Sequence, residues 1–176
     1  MRFVVLSLAL GAGTTMLAQA PAPSPPPDLQ GEFAASVKAF MDEYRAADEK
    51  ARPALLADLQ REPRHRFTPL FLAEAERQKG TAAAVPYWIW LAENGTIVDA
   101  KVGNEAVSRL LTDHLADAAL APGARAIGRA AGIRGSDRTI SDLSRIVEGS
   151  PHAEVRAEAL FQRAVVYRQA GSPQAR

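Results

Sequence analysis

The chain has 176 residues, 47% of them hydrophobic, 23% charged and 6% aromatic, and it contains no cysteine. The missing thiol excludes disulfide frameworks, thiol catalysis and cysteine-ligated metal clusters. The balance of 21 basic against 20 acidic residues removes any global pull toward nucleic acid or an anionic membrane.

Residues 1–20 read MRFVVLSLALGAGTTMLAQA. A positive Arg2, an apolar run from Phe3 to Leu10 and a small-x-small end at Ala18-Gln19-Ala20 predict a secretory signal peptide, cut after Ala20. A membrane anchor is the weaker reading, because a span wants about 20 apolar residues and Gly11, Gly13, Thr14 and Thr15 interrupt this one. The product is therefore expected to be secreted or periplasmic, with no membrane span after cleavage. Residues 21–29 form a Pro-rich tether, with five prolines in PAPSPPPD (21–28), which favours an extended polyproline-II spacer.

From residue 30 to 171 the pattern is helical, alanine being the commonest residue and period-2 alternation absent. The first helix is predicted over 30–50, with Phe33, Val37, Phe40, Met41, Tyr44 and Ala47 on one face. Pro53 starts a short helix carrying Leu55, Leu56 and Leu59, ended by Arg61-Glu62-Pro63. A third helix covers 67–79 (Phe67, Leu70, Phe71, Ala75), stopped by Gly80. A fourth covers 83–93 (Val85, Trp88, Ile89, Ala92), closed by Asn94-Gly95. A fifth covers 104–116 (Val107, Leu110, Leu111, His114, Leu115), with Ala118 continuing its face. Pro122 opens a sixth, with Ile127 and Ala131 inward and Gly132 as its end. Ser136 or Asp137 caps a seventh, striped by Ile140, Leu143, Ile146 and Val147 and ended by Gly149. Ser150-Pro151 starts an eighth, whose inner face is predicted as Ala157, Leu160, Phe161, Ala164 and Tyr167, with Gly171 as its stop. Residues 172–176 are a tail.

The helices fall into pairs at about 67–94, 104–131 and 138–170. Leu72, Leu111 and Ile146 hold comparable places at intervals of 39 and 35 residues. Such spacing predicts an all-α domain of about seven to eight helices, stacked as antiparallel pairs in a solenoid. The segment AEALFQRAVVYRQAG (157–171) resembles the first helix of a tetratricopeptide repeat, with Ala157, Leu160, Ala164, Tyr167 and Gly171 at the matching spacing. More broadly, the signal peptide and tether, followed by RFTPLFLAEAE, AAAVPYWIWLAENG, AVSRLLTDHLADAAL and LSRIVEGSPHAEVRAEALFQRA, are similar to the helical N-terminal region of secreted bacterial thioredoxin-like (redoxin) proteins. This sequence lacks the redoxin domain and its Cys-x-x-Cys, so the resemblance carries no redox residue here.

Few residues point to chemistry. His65, His114 and His152 lie in different helix pairs without metal-ligand spacing, and His114 sits on an apolar stripe, so each reads as structural. Arg61, Arg64, His65 and Arg66 form a small basic cluster that reads as a solvated inter-helix loop rather than a phosphate site. Tyr87, Trp88 and Trp90 read as core packing before they read as groove anchors. Asn94-Gly95-Thr96 fits a glycosylation acceptor but reads as a glycine turn. No catalytic, cofactor-binding or metal-ligating residue is assigned, and no cofactor is expected. The leading expectation is a non-catalytic secreted helical-repeat protein that binds a protein or peptide partner in the bacterial envelope, not nucleic acid. The alternative is the accessory region of a larger secreted thioredoxin-like thiol–disulfide oxidoreductase.

Overall fold

The computed structural model describes residues 28–171, so the expected signal peptide, nearly all of the tether and the tail lie outside the described residues. Every regular element among the described residues is helical. Asp28 accepts a hydrogen bond from the Gly31 amide at 2.9 Å and caps α1 (Leu29–Ala46). Helix formation thus starts inside the stretch assigned to the tether, and Leu29 is buried. Phe33, Val37, Phe40, Tyr44 and Ala47 are half-buried, while Met41 is exposed.

The short α2 (Arg52–Ala57) buries nothing. Leu56 and Leu59 face solvent, and Leu59 falls beyond the helix, contrary to the expected stripe. Pro63 opens α3 (Pro63–Arg77) rather than ending its predecessor. A proline at the first helical position has no amide to lose, and the Glu62 side chain caps the turn by accepting from the His65 amide at 3.1 Å. The basic segment Arg64–Arg66 is therefore the first turn of a helix, not a loop. Phe67, Phe71 and Ala75 are buried as expected, whereas Leu70 points to solvent.

A 3-10 turn (Ala82–Ala84) leads into α4 (Val85–Trp90), which runs on through a π-helical turn (Leu91–Gly95) into α5 (Thr96–Val98). Asn94-Gly95 does not stop the helix; Gly95 keeps helical angles, φ −62° and ψ −33°. Asp99 caps α6 (Ala100–Asp113) by accepting from the Lys101 amide at 2.8 Å. Helices α5 and α6 pack closely because Gly103 has no side chain: a Cβ there would lie 2.6 Å from the Thr96 Cα. Val107, Leu110, Leu111 and His114 are buried, and Leu115 is half-buried, while Ala118 is exposed.

After a 3-10 turn (Ala118–Leu120) come α7 (Ala121–Arg129) and α8 (Ala131–Arg134). Gly132 lies inside α8; the break is at Gly135, whose φ of +87° suits glycine alone. Then follow α9 (Ser136–Gly149) and α10 (Ala153–Gln169). Leu143 and Ile146 are buried, with Ile140 and Val147 packed beside them. The Arg134 side chain, 1% exposed, links three helices by donating to Asp142 Oδ2 at 2.7 Å and to Asn104 Oδ1 at 3.2 Å.

The predicted inner face of α10 is the outer one. Val155, Ala159, Gln162 and Val166 are buried, while Phe161 is 62% exposed and Leu160 45%. Period alone could not choose between two apolar stripes on opposite sides. Packing chose the slimmer one, which lies against α7 at Gly128, where an added Cβ would stand 3.0 Å from Gln162 Cβ. Helix α3 contacts α4 and α9 contacts α10, but the middle pair expected over 104–131 does not form: α6 lies mainly on the π turn and α4, and α7 mainly on α10.

These packings have measurable consequences. Gly103→Ala is expected to cost about 1–3 kcal/mol by overpacking, whereas Gly132→Ala, where a Cβ meets nothing within 4 Å, is expected to gain up to about 1 kcal/mol from helix propensity. Urea denaturation of the two variants tests the helix crossing. In the same assay Leu111→Ala should cost about 2–5 kcal/mol and Phe161→Ala less than about 0.5 kcal/mol.

Candidate functional site

Aromatic side chains from three helices converge where α1 and α3 meet α4. Phe71 stacks on Trp90 at 3.9 Å between centroids with rings 8° apart. Phe33 stands edge-on to Trp90 at 5.0 Å and 89°, and edge-on to Phe67 at 5.6 Å. Tyr87 tilts toward Phe71 at 6.0 Å. The edge-to-face pairs add about 0.5–1.5 kcal/mol each beyond area burial. They also fix the ring planes, because each ring is wedged by its neighbours.

Two clefts open over this cluster along the seam between α1 and α4. One, about 380 Å³, is lined by Phe33, Ile89, Trp90, Glu93 and Asn94, with Gln30 and Pro86 at its edge. The other, about 320 Å³, reaches Asp28, Gln78 and Tyr87 and shares Gln30 and Pro86. Their linings combine apolar and aromatic side chains with the amides of Gln30, Gln78 and Asn94 and the carboxylates of Asp28 and Glu93. The buried Trp90 Nε1 has no hydrogen-bond acceptor in the protein, and leaving a buried donor unmade costs about 1–3 kcal/mol.

The charges around the seam are already committed. Glu93 accepts from Arg129 at 2.7 Å. The buried Glu74 accepts from Arg77 Nε at 2.9 Å and from Gln78 Nε2 at 3.2 Å. The Arg77 hydrogen bonds hold the Glu74 carboxyl below its ordinary range, against the opposing effect of burial. Burial pushes the Tyr87 phenol up, and the Glu74 charge pushes it further, so it stays a neutral hydroxyl near neutrality. The seam therefore offers aromatic surface, amide groups and neutral donors.

The other sequence candidates lie elsewhere. Arg61 pairs with Glu43 and Arg64 with Glu62, so these two cations of the basic cluster belong to separate ion pairs. Arg61 and Arg66 line a different cleft, of about 300 Å³, against α1. The buried His114 has Nδ1 at 3.3 Å from Asp117. His152 Nε2 lies 3.0 Å from the Ala116 carbonyl. Both histidines thus serve the turn after α6. Trp88 is wholly core, while Trp90 joins core and cleft. Thr96 is buried and bonds back to the Ala92 carbonyl at 2.7 Å within the helix. Among the described residues no three His, Asp or Glu side chains gather as a metal site, and no helix is long and apolar enough to cross a membrane.

Phe33, Phe67, Phe71 and Trp90 each stand on a helix that the periodicity finds, but no sequence signal brings them together. Gln30, near the assigned tether, carries none either. No family model matches the chain, and neither a curated protein nor a solved structure resembles it significantly.

The titrations beside the seam give a signed expectation. Glu74, depressed in the fold, contributes stability that is present above its unfolded value near 4.5 and is lost as pH falls through its folded value. Tyr87, raised in the fold, contributes stability that is full below about 10 and is lost as pH rises through its folded value. Thermal denaturation across pH should show a smaller acid loss for Glu74→Gln than for the wild type, and a smaller alkaline loss for Tyr87→Phe.

Proposed function

We propose that this chain is a non-catalytic, tetratricopeptide-like interaction module of the bacterial envelope, which takes an extended protein segment along the α1–α4 seam. The observation that carries the reading is the cleft lined by Phe33, Ile89 and Trp90 together with the side-chain amides of Gln30 and Asn94. An extended chain supplies apolar side chains for the aromatic surface and backbone groups for the amides. The balanced charge favours a protein over a nucleic acid as partner. The 39- and 35-residue spacing of Leu72, Leu111 and Ile146 supports the repeat reading, and the pattern of residues 1–20 supports export.

A library of displayed unstructured peptides, panned on the purified protein, tests this proposal. Enriched peptides should alter tryptophan fluorescence and lose about tenfold in affinity, or about 1.4 kcal/mol, on the Gln30→Ala, Asn94→Ala double variant. Enrichment of the same peptides on that variant, with unchanged affinity, would remove the seam as the binding site.

A further inference from the structure

We propose that the outer face of α10 is a self-pairing surface, through which two copies of this chain associate antiparallel about a two-fold axis beside Phe161. The inference stands apart from peptide binding at the α1–α4 seam, since α10 packs on α7 and α9. Its inner stripe, Val155, Ala159, Gln162 and Val166, is already buried. On the opposite side Ala157, Leu160, Phe161 and Ala164 form a second apolar stripe open to solvent. A helix apolar on two sides is built to be covered on two sides.

The composition of the stripe selects the occupant. It reads small, large, small, with Ala157 and Ala164 flanking Leu160 and Phe161. Its ends carry opposite charges: Glu154 near the N-terminus and Arg168 in the last turn. These two residues are equally far in sequence from Phe161. Antiparallel pairing centred there sets Glu154 against Arg168 of the partner subunit, twice, and brings the two Phe161 rings together at the axis, with the alanines of the stripe leaving room on either side. Parallel pairing would oppose like charges at both ends. Both charges are available, because Glu154 has only His152 Nδ1 at 3.9 Å and Arg168 has no ion pair among the described residues. A surface self-complementary under a two-fold is the signature of an isologous dimer. The helix is about 25 Å long, and one helix face falls short of the ~800 Å² per partner of a standard interface. The association should therefore be micromolar rather than nanomolar.

Sedimentation velocity of the purified protein from about 1 to about 500 µM reads this directly. The expected result is a monomer–dimer equilibrium that Phe161→Glu abolishes, with the circular dichroism of the variant unchanged because the side chain is exposed. Glu154→Arg and Arg168→Glu should each weaken the dimer about tenfold, and the two together in one chain should restore it. A monomer at every concentration would overturn the proposal and leave the face to a different protein. So would a dimer indifferent to Phe161→Glu, or a double charge exchange no better than the single ones.

Discussion

Residues 85–98 bury Val85, Trp88, Trp90, Leu91, Ala92, Gly95 and Thr96, so this helical segment is stable only while α3, α6 and α7 cover it. Fully burying a large apolar side chain contributes about 1.5–3 kcal/mol. Trp88, Leu91 and Val85 alone thus outweigh anything the exposed ion pairs of α1 can supply, since surface pairs contribute about 0–1 kcal/mol. The same segment supplies Trp90 to the candidate cleft. Core and site therefore share one side chain, and the cleft inherits its rigidity from the core.

Close approach is what lets the other helices cover that segment. Gly103 admits Thr96, and Gly128 admits Gln162. The π turn also matters, because one extra residue in a turn changes which side chains face α6. The Gly103 contact, made against the Thr96 backbone, tolerates no added methyl, whereas the surface around Gly132 does. At its other end the molecule thins out. The distal half of α1 and α2 hold only half-buried side chains, tied by Arg61 to Glu43 and by Arg52 donating to the Tyr44 carbonyl at 3.3 Å.

The two surfaces assigned roles differ in kind. The α1–α4 seam is a cleft lined by aromatic rings and side-chain amides. The α10 face exposes Leu160 and Phe161 and ends in opposite charges. The two proposed roles use separate surfaces, so a dimer through α10 would present two seams to one partner and raise its avidity.

Local rules determined much of this protein without help. Alanine content, 3.6-residue periodicity and punctuation at Gly80 and Gly171, with φ of +78° and +69°, were legible because they act within one turn of chain. The core residues Phe67, Phe71, Trp88, Leu110, Leu111, Leu143 and Ile146 were legible for the same reason. Tertiary packing decided what local rules leave degenerate. It chose which of two apolar stripes on α10 turned inward, carried the helix through Asn94-Gly95, put Arg134 inside and brought Phe33, Phe71 and Trp90 to one seam. Each of those outcomes depends on the shape of a surface far away in sequence, and periodicity records only whether a face is apolar, not what is there to meet it.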